Sequence, residues 1–404
     1  MGGFARHCVN LIAGASGAIL FNPVRMCIAL LLFLFCLATP VFAQHAHPHA
    51  IAETRAVDFP DTRDYRTLVC DFHIHTVFSD GSVWPDIRIQ EALRDSVDAV
   101  SMTEHLEYQP HADDIPHPDR NRSHAIASRY AENSDVMVIP GAEITRRMPP
   151  GHCNAIFIED ANALLLDDSL AVFEEANRQG AFVFWNHPNW IAQRPDGAAT
   201  LTPFHEYLIA NGLLHGIEVV NDLTISQEAL QIAFDNDLTI MGTSDIHGLV
   251  DYQFDIAEGG HRPVTLVLAE ARSPAAIKEA LLAGRTVAWF ENTLVGREVN
   301  VRQVVVGTLT VTAAAYRGES SVAYVTIRND GDAEYLLENM SGYSLQSDLG
   351  IVRLPAHAET VLEVMTLERL DDFELRFRVL NAITGVEERL EMTLPVNIGG
   401  SGRQ

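Results

Sequence analysis

Short apolar runs alternate with amphipathic segments between residues 63 and 292, and this alternation constrains the fold more than any other feature of the sequence. The apolar runs predict strands at 66–72, 97–102, 136–140, 154–158, 181–185, 216–220, 238–243 and 264–269. The amphipathic segments predict helices at 85–95, 122–133, 167–179, 203–211, 226–236 and 274–283. Strands that alternate with helices form parallel sheets, so the pattern predicts an α/β architecture. An α/β barrel would carry its site at the C-terminal ends of its strands.

The pattern changes near residue 297. From 297 to 396, segments such as VNVRQVVVGTLTVTAAAY and FELRFRVLN alternate apolar and polar residues, and turn signals such as NDGD separate them. This texture predicts a C-terminal antiparallel β-sandwich of about 100 residues. The chain has 404 residues, which is also too long for one ordinary domain.

Residues 1–43 have the pattern of a signal peptide. Their apolar core, at 26–37, is shorter than the roughly 20 residues that a transmembrane helix needs. Val41 and Ala43 occupy the −3 and −1 positions of a cleavage site, so we expect cleavage near Ala43 and a periplasmic or secreted protein. An uncleaved N-terminal anchor is the open alternative, and Met26 is a second possible start. After cleavage we expect no stable membrane span.

The mature chain then begins with a polar segment, 44–62, that contains three of its histidines at positions 45, 47 and 49. Its lack of hydrophobic periodicity predicts a flexible, solvated tail.

The charge of the chain limits its partners. There are 54 Asp and Glu residues against 28 Lys and Arg, a formal charge of −26 at pH 7. A nucleic-acid polymer or an anionic membrane surface would be repelled, so neither is expected as the main partner. A small anionic substrate is still compatible, because bound cations can reverse the sign of one pocket.

Histidine and acidic residues recur where the predicted strands end. In DFHIH, strand alternation turns Asp71, His73 and His75 to one side. The other candidates at such ends are Glu104, His105, Glu143, His152, His187, Glu218, Asp245 and His247. A lone histidine is more often packing than a ligand. Recurrence at one end of successive strands indicates a shared cluster of cations, because buried imidazoles and carboxylates need partners.

These motifs resemble the polymerase and histidinol phosphatase (PHP) family of metal-dependent phosphoesterases. HIH, the Glu-His pair, GAE, the His before a strand, NHP and SDIH occur in the family's order over roughly residues 66–290. The resemblance implies a distorted (β/α)7 barrel over 63–292, often with three metals. It assigns one metal to His73, His75, Glu143 and Asp245, a second to Glu143, His152 and His187, and a third to Asp80, His105 and His247. Many members have His at the position of Asp80, which leaves the third metal open.

The resemblance also implies the chemistry, that of a metal-dependent hydrolase acting on phosphate ester bonds. Nitrogen and oxygen ligands suit zinc, manganese or iron, and two to three divalent ions are expected. The expected reaction is hydrolysis of small phosphodiesters or phosphomonoesters by a metal-bridging hydroxide. Glu143 would bridge the metals, and Asp245 or a metal-bound water would manage the leaving group's proton. Two alternatives stay open: a phosphomonoester phosphatase of the histidinol-phosphatase type, and a non-catalytic barrel that binds metal or ligand.

Substrate recognition is expected from loop arginines, because guanidinium groups bind phosphate oxygens in a fork. The candidates are Arg120, Arg146, Arg147, Arg194 and Arg262. Trp190 is the best candidate for an aromatic pocket wall. The sequence does not fix the oligomeric state or the role of the sandwich.

Overall fold

The computed structural model describes residues 56–346 and 350–399. The predicted signal peptide and the three histidines of the segment that follows it lie outside the described residues. Within the described part of the chain, no helix combines the length and the apolar character needed to cross a bilayer.

The part of the chain from residue 66 to residue 296 contains every strand and helix that the alternation predicts. Its strands are β1 Arg66–Ile74, β2 Ala99–Met102, β3 Met137–Thr145, β4 His152–Ile156, β5 Phe182–Trp185, β6 Gly216–Asn221, β7 Thr224–Ile225, β8 Thr239–Thr243, β9 Val264–Ala269, β10 Thr286–Phe290 and β11 Thr293–Gly296. Its helices are α1 Pro85–Arg94, α2 Arg122–Ala131, α3 Ser169–Arg178, α4 Pro203–Ala210, α5 Gln227–Asp235, α6 Val250–Gln253 and α7 Pro274–Leu282. The predicted α/β fold is confirmed.

Local chemistry sets the ends of these helices. Asp168 caps α3, because its Oδ1 accepts a hydrogen bond from the backbone N–H of Ala171 at 2.8 Å. Gly180 follows the end of α3 with φ +76°, a left-handed conformation that glycine adopts without strain.

The strands form a mixed sheet that curls into a barrel. β1, β2 and β3 pair in parallel, as do β5, β6 and β8. β4 is antiparallel to both β3 and β5, and β9 is antiparallel to β1. The turn 146–151 between β3 and β4 is too short for a crossover helix, so these two strands form a hairpin instead of the expected parallel pair. An isolated parallel bridge between Ile74 and Ile246 joins the ends of β1 and β8 and closes the barrel.

A two-sheet sandwich follows. Its strands are β12 Leu309–Tyr316, β13 Val322–Asn329, β14 Tyr335–Asn339, β15 Ser344–Leu345, β16 Ile351–Leu354, β17 Ala358–Met365, β18 Asp372–Ile383 and β19 Arg389–Asn397. β12, β13, β17 and β15 form one sheet, while β16, β14, β18 and β19 belong to the other. All pairings among these strands are antiparallel, as predicted.

The second sheet continues into the barrel. β11 pairs in parallel with β18 through Leu294 with Ala382 and Val295 with Ile383. A single hydrogen-bonded sheet therefore runs through both parts of the protein.

The predicted strand at the start of the sandwich is wrong over 298–308, which forms helix α8 Glu298–Thr308. Its buried residues Asn300, Val301, Val304 and Thr308 recur at helical spacing. Packing of this face against β10, β11, β12 and β19 outweighs the modest preference of valine for strands.

The predicted flexible segment is also wrong over 56–62, which packs onto the folded unit. Val57 and Phe59 are buried, and the Phe59 ring meets Trp289 edge-on with centroids 5.0 Å apart. The backbone N–H of Asp58 donates to Asp332 Oδ2 at 2.8 Å. Two apolar side chains with a matching surface are enough to order a stretch whose composition is otherwise polar.

Candidate metal centre

The nine predicted metal ligands lie together at one end of the barrel. They fall into overlapping groups whose donor atoms lie within 4.8 Å of one another: His73, His75 and Asp245; His73, Glu143 and His187; His105, Glu143 and His152; and His75, Asp80, His105 and His247. The strand ends explain this arrangement. β4 runs antiparallel to β3, so the first residue of β4, His152, reaches the same end as Glu143.

The first group is the most tightly convergent. His73 Nε2 and His75 Nε2 are 3.0 Å apart, and Asp245 Oδ1 lies 3.2 Å from each. The oxygens of Glu143 lie 3.7 Å from His73 Nε2 and 3.8 Å from His75 Nε2. These are the four residues that the resemblance places at one metal.

The donors that the resemblance assigns to a second metal, His152 and His187, lie on the other side of Glu143. Glu143 Oε1 is 3.0 Å from His152 Nδ1 and 3.6 Å from His187 Nε2. Its Oε2 contacts His105 Nδ1. One carboxylate therefore faces donors from two groups, which is the geometry that a bridging ligand needs.

The donors of the third predicted metal, His105 and His247, surround Asp80. Asp80 Oδ2 lies 3.3 Å from His105 Nε2, and Asp80 Oδ1 lies 3.2 Å from His247 Nε2. His75 Nδ1 is 3.6 Å from Asp80 Oδ1, so His75 stands between the first and the third group. The sequence does not reveal this shared position.

The donor atoms fit divalent cations. His73 Nε2, His75 Nε2 and Asp245 Oδ1 lie within 3.2 Å of one another, close enough to share one cation. Two buried atoms, Glu143 Oε2 and His152 Nδ1, make no hydrogen bond of good geometry to any described residue, although both lie at ion-pair distance from neighbours. A buried polar atom without a hydrogen bond is costly, and a cation would satisfy both. The nine ligands offer only nitrogen and oxygen, which suits zinc, manganese or iron.

The electrostatics of the cluster keep its carboxylates ionised. Burial alone would raise the pKa of Asp245, but the charge of His73 and the hydrogen bond from His75 outweigh burial and hold that pKa below its ordinary value. The pKa of Glu143 is likewise well below its ordinary value, because His105 and His152 outweigh the effect of burial. Charged carboxylates are the form that binds cations.

The histidines divide into two electrostatic classes. Burial, followed by the charge of His247, lowers the pKa of His75 to about 3, so this imidazole is neutral and its ring nitrogens can bind cations. Burial acts in the same direction on His73, but Asp245 and Glu218 outweigh it and raise the pKa of His73 to about 10. A cation and a proton therefore compete for the same electronegative cavity.

Several residues around the ligands were not singled out by sequence reasoning. Asn186 Nδ2 donates to Glu143 Oε1 at 2.8 Å, and Thr145 Oγ1 lies 2.7 Å from His105 Nδ1. Asn186 lies within the NHP motif itself, so its position beside His187 was the available signal. Glu104, by contrast, is a candidate of the sequence analysis; it accepts from Thr76 N and belongs to none of the ligand groups of the described residues.

Arg262 does not reach the cavity, and its predicted role in substrate binding is wrong. The residue is 1% exposed. Its Nε and Nη2 donate to Asp95 Oδ2 at 3.0 and 2.7 Å, and Nη1 lies 3.4 Å from Asp71 Oδ2. Asp71 also accepts from Ser244 Oγ at 2.6 Å, one residue before Asp245. The guanidinium group is thus paired with two buried carboxylates beneath the ligands.

The other predicted arginines lie on loops, and three of them already have hydrogen-bond or ion-pair partners. Arg146 Nε pairs with Glu107 Oε1 at 2.9 Å, Arg120 Nε donates to the carbonyl of Leu106 at 2.9 Å, and Arg194 donates to the carbonyl of Thr200. Arg147 is exposed.

Trp190 lies at the rim of the ligand cluster. It is 44% exposed, and its ring centroid is 5.2 Å from that of His187 and 5.5 Å from that of His152. This is the placement expected of a pocket wall.

A solved structure from Bacteroides vulgatus matches this geometry over both parts of the chain. It is described as a two-domain protein containing a predicted PHP-like metal-dependent phosphoesterase, and it is 39% identical to this chain. The match covers 84% of this chain and 98% of that one, with a TM-score of 0.79. This chain belongs to the PHP-like family. The resemblance carried by the motifs is confirmed, and with it the class of enzyme, a metal-dependent phosphoesterase.

One family model and further solved structures also match parts of the chain. The family of Ig-like domains matches residues 309–395, which begins where α8 ends. PsfC from Pseudomonas syringae is 19% identical over 60% of this PHP-like chain and 96% of its own, with a TM-score of 0.39. The lesion-specific endonuclease PfuEndoQ from Pyrococcus furiosus is 13% identical over 61% of this chain and 62% of its own, with a TM-score of 0.40. Likenesses this weak carry no argument about activity. No curated protein matches the chain.

Proposed function

We propose that this PHP-family protein is an exported phosphoesterase that hydrolyses small phosphodiesters or phosphomonoesters with two to three bound divalent cations. The observation that carries the proposal is the convergence of nine imidazole and carboxylate donors around Glu143 and Asp245. We assign the metal-ligand role to His73, His75, Asp80, His105, Glu143, His152, His187, Asp245 and His247. Zinc, manganese and iron all fit these donors.

The cations would polarise the phosphate group and lower the pKa of the water that attacks phosphorus. The chain's own residues supply position and charge. Both oxygens of Glu143 are buried and face different ligand groups, so this residue would hold two adjacent cations. The side chain of Asp245 is 16% exposed and opens to the cavity, where its ionised carboxylate would take a proton from the attacking water and pass it to the leaving oxygen.

Recognition would fall to the loops around this opening. Arg147 is exposed directly after β3, and we assign it the main contact with non-bridging phosphate oxygens. Arg120, Arg146 and Arg194 hold loop carbonyls or carboxylates and would shape the entrance. The net charge of −26 favours small substrates over a nucleic-acid polymer.

Export and domain boundaries complete the proposal. The pattern of residues 1–43 supports cleavage near Ala43, so the N-terminal sequence of the exported protein should begin at Gln44. We propose 63–292 as the catalytic domain and 297–396 as the sandwich domain.

Hydrolysis of bis(p-nitrophenyl) phosphate and p-nitrophenyl phosphate by metal-loaded protein tests the activity. Turnover of the diester supports the leading proposal, and turnover of the monoester alone supports a phosphatase of the histidinol-phosphatase type. If neither ester is cleaved, the barrel binds metal or ligand without hydrolysis.

His187→Ala tests the proposed metal site. It should abolish turnover, because it removes a ligand beside Glu143. His357→Ala is the matched control, since His357 is exposed on the sandwich and pairs with Asp332. Full activity in His187→Ala would refute the multi-metal mechanism.

A further inference from the structure

Glu218 is a buried carboxylate of β6 that contacts two of the proposed ligands at once. It is 1% exposed. Its Oε1 lies 2.7 Å from His73 Nδ1 and accepts from Thr243 Oγ1 at 2.6 Å. Its Oε2 accepts from the backbone N–H of His187 at 2.6 Å and from Asn221 Nδ2 at 2.9 Å. Both oxygens are therefore surrounded by hydrogen-bond donors.

The contact with His73 decides which ring nitrogen is available to a cation. Glu218 Oε1 already accepts from Thr243 Oγ1, so in its 2.7 Å contact with His73 the ring nitrogen Nδ1 carries the proton and donates. His73 Nε2 is then the ring nitrogen that faces the cavity and can exchange its proton for a cation, with Asp245 Oδ1 3.2 Å away. A second partner that fixes the tautomer and orientation of a ligating imidazole commonly strengthens metal binding.

The contact with His187 holds an unusual backbone conformation. His187 has a φ of +27°, and residues other than glycine rarely adopt a positive φ. Its backbone N–H points at Glu218 Oε2, and its side chain places Nε2 3.6 Å from Glu143 Oε1. The same carboxylate thus supports a ligand of the neighbouring group.

We propose that Glu218 is a positioning residue that couples two adjacent cation positions, by fixing the ring proton of His73 and the backbone of His187. The proposal deepens the proposed function, since it rests on the ligand roles of these two histidines. Glu218 does not itself belong to any of the ligand groups of the described residues.

Glu218→Gln tests this idea with almost no change in shape. If the new amide NH2 took the place of Oε2, it would face two donors, the His187 N–H and the Asn221 amide. If it took the place of Oε1, the Thr243 hydroxyl could rotate to accept, and His73 Nδ1 could accept only by giving up its proton. The second arrangement is favoured, and it favours a proton on His73 Nε2, the atom that should bind the cation.

The measurement is zinc affinity, determined by competition with a chromogenic chelator. Loss of such a supporting partner typically weakens metal binding by about 10–100-fold, and we expect a loss of this size in Glu218→Gln. Glu206→Gln is the matched control, because Glu206 is exposed on α4 and should bind zinc like the wild type. Zinc affinity within twofold of the wild type in folded Glu218→Gln would overturn the proposal.

A spectroscopic signature gives a test that does not depend on any variant. In zinc-loaded wild-type protein with ¹⁵N-labelled histidines, we expect a protected imidazole proton on Nδ1 of His73, hydrogen-bonded to Glu218. A His73 ring without a proton on Nδ1 would overturn the proposal even if Glu218→Gln failed to fold.

The two proposals can fail separately. If Glu218→Gln loses zinc while the wild type cleaves neither ester, Glu218 positions ligands and the proposed hydrolysis is refuted. If the wild type cleaves an ester while Glu218→Gln keeps its zinc affinity, hydrolysis stands and the role of Glu218 is refuted.

Discussion

Replacement of Arg262 by Met should strongly destabilise the folded protein. The guanidinium group is 1% exposed and lies between two buried carboxylates, Asp95 and Asp71. Met has a similar length and an apolar stem, so the variant removes the charge with little change in volume. Asp71 and Asp95 would then lose the buried positive charge that faces both of them.

The magnitude follows from the geometry. The closest contacts are 2.7 Å, from Nη2 to Asp95 Oδ2, and 3.4 Å, from Nη1 to Asp71 Oδ2. Opposite charges 4 Å apart interact by about 4 kcal/mol at an effective dielectric constant of 20. Removing one partner of a buried pair costs about 3–5 kcal/mol, and we expect the free energy of unfolding to fall by this amount.

Urea unfolding followed by tryptophan fluorescence, with chelator present throughout, measures this loss without a contribution from bound metal. Arg178→Met is the matched control, because Arg178 pairs with Glu175 on the surface with 67% of its side chain exposed. A solvent-exposed pair contributes little to stability, because water screens the two charges. If both variants lost the same small amount, the buried-pair reasoning would be wrong. If Arg262 bound substrate instead, its replacement by Met would raise KM and leave the free energy of unfolding unchanged.

Three further predictions concern pH, the cavity rim and metal removal. Burial, followed by the charge of Arg194, lowers the pKa of His205 from 6.5 to about 4, so the unfolded state takes up a proton first as the pH falls. The free energy of unfolding should therefore fall by on the order of 3 kcal/mol between pH 6.5 and 4. In urea titrations His205→Gln should lack this part of the fall, and a pH dependence identical to that of the wild type would contradict the prediction. Trp190→Ala should raise KM for aryl phosphates several-fold with little change in kcat, whereas Trp84→Ala, also 44% exposed, should not; equal KM values would remove Trp190 from the pocket wall. Chelator should lower the midpoint of thermal unfolding, because cations that bind only the folded state stabilise it, and an unchanged midpoint would argue against bound cations.

Much of the candidate site was predictable because its proposed ligands lie at strand ends. Strand ends at one edge of a barrel meet in space, so His73, Glu143, His187 and Asp245 could be placed together from their positions relative to the apolar runs. His152 needed one further fact, that β3 and β4 form a hairpin. The family resemblance supplied the order of the motifs and the assignment of ligands to metals.

Arg262 shows what sequence position could not reveal. An arginine that follows the last metal motif along the chain resembles a phosphate contact. Its partners Asp71 and Asp95 are 191 and 167 residues away in the sequence, and only the closed barrel brings them to it. The direction of a side chain at such a boundary depends on long-range packing, which local pattern does not encode.

Helix α8 and residues 56–62 illustrate the same limit. Valine favours strands weakly, and this preference is smaller than the gain from burying a helical face. The hydrophobic contacts of Val57 and Phe59 likewise involve distant parts of the chain, including Trp289. Neither partner surface is visible in the local sequence.

The hydrogen-bonded pairing of β11 with β18 means that the two domains do not hinge about a loose tether. A fragment that stopped at residue 292 would lack β11, and β10 would then be an edge strand with unpaired backbone N–H and C=O groups. Such rims promote self-association between molecules. Any other module joined to this barrel would therefore have to donate a strand of its own, so swapping the Ig-like part is a problem of β-sheet completion rather than of linker length.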